Sequence, residues 1–258
     1  MPESDLALLI RAARAAGEVA LRYWKQSPAA WEKADNAGPV TEADLAVDRL
    51  LAGMLRTARP DYGWLSEETE DGPARLAHRR VFIVDPIDGT RAFIAGEVGF
   101  SHALAVAEDG QVTAAAVYLP ALDRLYTAEA GGPALLNGQP IRAAAPEGVP
   151  PTVLTGSGAL KPEYWPGGVP ELRRSFRPSL AWRLCLVAEG SHHGLITLQD
   201  TWEWDIAAGT LIAEAAGARV TDRAGALLRF NAAAAKTRGV LAATPALHAD
   251  WLARLDPH

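Results

Sequence analysis

In VFIVDPIDGTRAF, residues 81–93, a short apolar run meets two acids, a proline and a Gly-Thr step. Val81 to Val84 has the β-branched composition of a buried strand. Asp85 and Asp88 at its end are poor packing material, because buried carboxylates are costly unless a cation joins them. No lysine stands nearby in the sequence, which points to a metal ion. Gly89-Thr90 lets the backbone approach an anion, and a helix opening there would aim its first N–H groups at it. The stretch reads as a phosphate held against metal ions.

Upstream lies Leu65-Ser66-Glu67-Glu68. Paired loop glutamates are usually solvated surface, but here Glu67 can converge with Asp85 and Asp88 on one cation. Earlier still, Thr41 with Asp44 three residues on fits a capping box, opening a helix through Leu45, Leu51 and Leu55. That box is the bland alternative to a chemical role for Asp44. Downstream, TWEWDIAAGTLIAEAAG (201–217) reads as a tight loop opening a helix, with Asp205 as its N-cap and Ala207, Ala208 and Gly209 allowing close packing.

Ser4 caps a first helix through Leu6, Leu9, Ile10, Ala13, Ala20 and Trp24. A β-meander is expected from Phe100 to Ala128, split by the hairpin signal Glu108-Asp109-Gly110. Ala143 to Pro151, with three prolines and a glycine, is the expected break between two subdomains, 1–145 and 146–258. The second half alternates strands near 152–155, 195–198, 218–221 and 239–242 with helices at 179–189 and from Ala246.

The totals narrow the function. At 258 residues, with 49% hydrophobic and 22% charged residues, the chain has the make-up of a soluble globular protein. A net charge of −6 argues against nucleic acid as a partner, and no apolar run is long enough to span a bilayer. The lone Cys185 excludes an internal disulfide; with no signal peptide expected, a cytoplasmic setting follows. His192-His193 has no third ligand at zinc spacing, Trp202 and Trp204 read first as packing, and Lys33 can approach the substrate.

The chemistry these residues fit is a phosphomonoesterase with two or three Mg2+ ions, for which Mn2+ can substitute. Glu67, Asp85, Asp88, Asp205 and the Ile87 carbonyl supply hard oxygens, and Thr90 with Asp44 orients and deprotonates a water. Backbone N–H groups near Gly89 and Thr90 hold the phosphate. Aspartyl-phosphate hydrolases need D-x-D-G-T, and Pro86 stands where their nucleophile belongs. Cysteine phosphatases need an arginine where Cys185 is followed by Ser191.

VTEAD, SEE, DPIDGT and WEWDIAAG together resemble the inositol monophosphatase superfamily, in order from about Lys33 to Asn231. The resemblance implies an α/β fold, the layered αβαβα sandwich of the inositol monophosphatase/fructose bisphosphatase type, Mg2+ dependence, lithium sensitivity and a homodimer. It implies metal ligation by Glu67, Asp85, Ile87, Asp88 and Asp205, a catalytic role for Asp44, Thr90 and Glu67, and a match of Glu68 to the second family glutamate. Members acting on inositol carry a glutamate where this chain has Leu198, with Gln199 and Asp200 beside it. Members acting on 3'-phosphoadenosine 5'-phosphate are more similar, sharing KADN, LSEE, a basic residue after DPxDGT (Arg91) and a basic residue before CLVAEG (Arg183). The substrate contacts so implied are Asp88, Gly89, Thr90, Arg91, Arg183 and Asp205, the two arginines gripping a second phosphate. PSLAW replaces the Gly-Ser-Ser-Leu usual before that basic residue, which puts the sugar and base contacts in question. An inositol or other sugar monophosphatase is the alternative within the class; a binding protein that keeps the fold is the alternative outside it.

Overall fold

The computed structural model describes residues 3–33 and 38–256. Helix α1 (Asp5–Tyr23) opens at Ser4, whose hydroxyl accepts the Ala7 N–H, and buries a stripe from Leu8 to Ala20. Strands β1 (Ala30–Glu32) and β2 (Pro39–Thr41) pair antiparallel and lead into α2 (Glu42–Ala58), which starts with the expected capping box. A seven-stranded sheet follows in chain order: β3 (Gly63–Ser66), β4 (Arg80–Asp88), β5 (Ser101–Glu108), β6 (Gln111–Leu119), β7 (Arg124–Glu129), β8 (Leu135–Leu136) and β9 (Gln139–Pro140). Only β3 and β4 are parallel; β5 to β7 are the expected meander. The short helix α3 (Thr90–Ile94) sits between β4 and β5.

The second half adds β10 (Thr152–Thr155), β11 (Arg173–Ser175), α4 (Leu180–Ala188), β12 (Gly194–Thr197), β13 (Thr201–Trp202), α5 (Glu203–Ala215), β14 (Arg219–Thr221), β15 (Lys236–Thr237), β16 (Val240–Ala243) and α6 (Pro245–Arg254). Five of its strands form a sheet in the order β11-β10-β12-β16-β14, while β13 and β15 make a two-stranded ladder. The Pro/Gly-rich stretch 143–151 falls between the last strand of the large sheet and the first of the small one.

The layers follow from which faces are apolar. On β4, Phe82 and Val84 pack with α1 and α2, whereas Val81 and Ile83 join the core around α4 and α5. A strand covered on both faces needs a continuous apolar run, which is why residues 81–84 do not alternate. Helices α4 and α5 lie between the two sheets, and α6, through Trp251 and Leu255, covers the far face of the small one. The order is α1/α2, large sheet, α4/α5, small sheet, α6: an αβαβα sandwich. Gly209 allows α4 and α5 to touch, since a Cβ there would stand 2.6 Å from the Leu184 Cβ.

Candidate active site

Strand β4 delivers the acids. Its pairing with β5 slips between Asp85 and Asp88, and Gly89, at φ 98°, turns the chain into α3. Such a φ suits glycine, and a Cβ would also stand 3.1 Å from the Gly99 carbonyl oxygen. His102, fully buried, bonds through Nδ1 to the Pro86 carbonyl at 2.5 Å and so braces this turn. Burial holds the imidazole down to about 4, so it is neutral.

Asp85, Asp88 and Asp205 bring carboxylate oxygens within 4.8 Å of one another, the only such cluster of potential ligands among the described residues. Asp205 is not the N-cap of α5 that the sequence suggested. Trp202 holds that position, and Asp205 lies within the first turn, aimed at Asp85. Burial pushes Asp85 and Asp205 well above the ordinary carboxylate range, and mutual repulsion adds to it. Asp88 is pushed up to about 6 by burial, against the pull of hydrogen bonds from Ser179, Ala181 and Leu180. Buried Oδ1 of Asp85 has no hydrogen-bond partner. An orphaned oxygen among three crowded carboxylates is what a hard divalent cation would satisfy, so the donor set fits Mg2+ or Mn2+.

Asp44 serves two arrangements at once. Its Oδ2 closes the capping box with the Thr41 N–H at 2.8 Å and hydroxyl at 2.5 Å, while Oδ1 accepts the Thr90 hydroxyl at 3.2 Å. The Thr90 hydroxyl also lies 3.1 Å from the Ile87 carbonyl oxygen, tying the pair to the turn. Burial raises Asp44, which makes it a better proton acceptor than a solvated aspartate. The capping box forms as expected, and the same side chain also holds the Thr90 hydroxyl.

A lysine does join the acids, from outside the local sequence. Lys33 Nζ lies 2.8 Å from Glu67 Oε1 and 2.7 Å from Glu68 Oε1. Glu68 is pushed up to about 7 by burial. Ala34, Asp35 and Asn36 of the KADN motif lie outside the described residues.

A cavity of about 480 Å³ is lined by Glu67, Asp85, Ile87, Asp88, Gly89, Thr90, Arg91, Arg183 and Asp205. It thus gathers the expected ligands and contacts except Asp44, which bonds Thr90, and Lys33 and Glu68, which pair with each other. A second space of about 610 Å³ adjoins it, sharing Asp88, Arg91, Arg183 and Asp205 and adding Lys161, Tyr164, Gln199 and Asp200. Arg91 is exposed at the rim common to both. Arg183 is partly committed: Nε donates to the Arg177 carbonyl and Nη2 to the Pro178 carbonyl.

Other residues of the site were hidden in the sequence because their partners are remote. The Ser179 hydroxyl donates to Asp88 Oδ2 at 2.7 Å, and Leu180 and Ala181 offer their N–H groups to the same carboxylate. Asp88 therefore caps α4 as well as facing the cluster. Glu203, fully buried two residues before Asp205, accepts the N–H groups of Asn231 at 2.6 Å and Ala232 at 2.8 Å. Arg75 bonds Asn231 Oδ1 at 2.7 Å and the Ala232 carbonyl at 3.0 Å, anchoring that loop. Removing this brace in Glu203→Ala unpairs two part-buried donors, at up to about 1–3 kcal/mol each. The expected result in calorimetry is a melting temperature lower by roughly 5–15 °C. Mn2+ binding, followed by electron paramagnetic resonance, weakens by roughly tenfold. Glu203→Gln, which keeps one acceptor, recovers part of both; unchanged melting and binding in Glu203→Ala would remove the brace from the account.

The histidine pair and the tryptophans serve packing. His193 Nδ1 accepts the Thr152 N–H, His192 Nε2 pairs with the Ser175 hydroxyl, and Trp202 stacks on Trp204 at 4.5 Å. No helix among the described residues is long and apolar enough to cross a membrane.

Comparison with known proteins places these features in one group. The inositol monophosphatase family profile matches residues 1–257. The inositol-1-monophosphatase of Rhizobium meliloti (strain 1021) is 37% identical over 202 residues, covering 72% of this chain and 73% of that protein. The 3'(2'),5'-bisphosphate nucleotidase CysQ of Escherichia coli (strain K12) is 36% identical over 208 residues, covering 77% and 82%. Among solved structures, the Thermotoga maritima IMPase superposes with a TM-score of 0.80 at 28% identity, over 95% of this chain and 94% of that one.

Proposed function

The chain belongs to the inositol monophosphatase family and is a phosphoric monoester hydrolase, and from that premise we propose that it converts 3'-phosphoadenosine 5'-phosphate to AMP and phosphate in a Mg2+-dependent reaction. The observation that carries the catalytic part is the convergence of Asp85, Asp88 and Asp205 on a cavity they share with Thr90. Asp85, Asp88, Asp205, Glu67 and the Ile87 carbonyl would hold the ions. Bound there, Mg2+ lowers the pKa of water and neutralises charge on the phosphate and the leaving oxygen.

The protein's own groups do the rest. Thr90, held by Asp44, orients the attacking water and passes its proton to the raised Asp44 carboxylate. The water oxygen bonds to phosphorus, the P–O bond to the 3' oxygen breaks, and that oxygen leaves with a proton from solvent. Gly89 and the opening N–H groups of α3 face the cavity and suit a phosphate oxygen. Arg91, exposed on the rim between the two spaces, suits the 5'-phosphate. Arg183 stands at the same wall, with donors left after its two carbonyl bonds.

A second reading has its own support. Asp200 and Gln199 line the adjoining space, where a carboxylate could accept hydroxyl hydrogens of an inositol ring. Phosphate release from the adenosine bisphosphate and from inositol 1-phosphate, at matched low concentrations with Mg2+, with EDTA and with lithium, separates the two. The expected outcome is preference for the nucleotide, abolished by EDTA and inhibited by millimolar lithium. Preference for inositol 1-phosphate would assign the grip to Asp200 instead.

A further inference from the structure

We propose that Phe176 is an aromatic platform for a planar ring on the leaving alcohol, and that Arg183 holds it in place. This rests on the reading that the phosphate sits at the acid cluster. Phe176 follows β11, is 52% exposed, and lines both the acid cavity and the adjoining space. Any leaving group that reaches from one space into the other passes it.

One face of the ring is backed by a cation. The Arg183 guanidinium lies 4.2 Å from its centroid, a stacking distance. That guanidinium is fixed by its bonds to the Arg177 and Pro178 carbonyls, so it ties the segment to the first turns of α4. Arg177 adds a bond from Nη1 to the Phe176 carbonyl at 2.6 Å, and its own guanidinium lies over Trp182. A large apolar ring with a cation over one face and half its surface exposed presents the exposed part to a ligand. The group that fits is flat and π-rich, such as a nucleobase; a saturated polyol ring offers no such face.

The same geometry gives Arg183 a part distinct from gripping phosphate. Lysine's ammonium has donors enough for two carbonyls but no planar face, so it cannot lie flat on Phe176 while bonding both. Arg183 is thus a positioning residue for the platform.

The test compares Phe176→Ala, Phe176→Leu and Phe176→Trp on 3'-phosphoadenosine 5'-phosphate and on inositol 1-phosphate. Expected is a KM increase in Phe176→Ala that is at least about tenfold larger for the nucleotide than for the inositol ester. Trp should restore nucleotide binding and Leu should not, which separates stacking from simple apolar contact. Equal losses on both substrates, or Leu as good as Phe, would overturn the platform. If the wild type releases phosphate from neither compound, the substrate reading fails, and the platform is judged by AMP binding alone. Saturation transfer from the protein to the adenine H2 and H8 protons should then be strong in the wild type and Phe176→Trp, and lost in Phe176→Ala. Transfer that persists in Phe176→Ala, or is missing from the wild type, overturns it.

Discussion

Replacing Asp205 by asparagine lowers kcat by roughly two to three orders of magnitude, while the metal-free protein melts at a higher temperature than the wild type. Both halves of this result follow from where Asp205 sits. Its carboxylate shares the cluster with Asp85 and Asp88, and repulsion from Asp88 and Glu67 outweighs the attraction of Arg183. Asparagine keeps one oxygen and the shape, yet removes a negative charge that Asp85 and Asp88 both feel. The chemistry loses a ligand, and the empty fold loses a repulsion. Asp88 is the instructive contrast. Its oxygens accept the Ser179 hydroxyl and the N–H groups of Leu180 and Ala181, so Asp88→Ala would leave those donors of the first turn of α4 unpaired, with only the Ser179 cap on Trp182 remaining. Asp88 thus serves the fold as well as the site. Phosphate release and calorimetry in EDTA check the pair. An Asp205→Asn enzyme within fivefold of wild-type turnover would take this residue out of the site.

The contrast also shows what could be read before any coordinates. Local signals held wherever cause and effect lie within a few residues. The Ser4 cap, the Thr41–Asp44 box and the 101–129 meander are all decided by neighbours in sequence. The acids were legible for a different reason: strand-end carboxylates with no local cation make no sense as packing. What escaped was through-space pairing. Lys33 reaches Glu67 from 34 residues away, Ser179 reaches Asp88 from 91, and Arg75 reaches Asn231 from 156. No periodicity or motif carries such contacts, because only the folded sheet brings them together. The Asp205 error has the same root: the pattern of a helix start was correct, but Glu203 takes the N–H groups of a remote loop, leaving Asp205 free to turn toward Asp85. Arg183 was legible from its place before CLVAEG, but its bonds to the Arg177 and Pro178 carbonyls and its place over the Phe176 ring were not.

Between pH 6.5 and 8, the metal-free protein should lose stability as pH rises, and Mg2+ should restore most at the top of that range. Asp88 titrates near 6 and Glu68 near 7 in the folded chain, with Asp85 and Asp205 also raised. Unfolded carboxylates titrate near 4. In this window the folded state therefore binds more protons than the unfolded one, and ∂ΔG/∂pH is negative. The advantage of the protonated fold is present below the folded pKa values and lost as pH climbs through them. For Asp88 alone, about two units of difference correspond to roughly 3 kcal/mol, lost mainly between about pH 4 and 6.5, so within the window the slope falls to Glu68 and to the higher-lying Asp85 and Asp205. His102 works the other way, since its folded value of about 4 lies below its unfolded one near 6.5, and its opposing slope fades by about pH 7.5. Above that point the acids alone set the slope. A divalent ion binds the deprotonated cluster and displaces its protons, so its stabilisation grows with pH. At 100 times its dissociation constant the ion adds about 2.7 kcal/mol, or roughly 5–10 °C for a chain of this size. Melting curves in EDTA and in Mg2+ across the window supply the measurement. A metal-free melting temperature that rises with pH there, or a Mg2+ increment that stays constant, would mean that Asp85, Asp88 and Asp205 are not the groups that hold the ion.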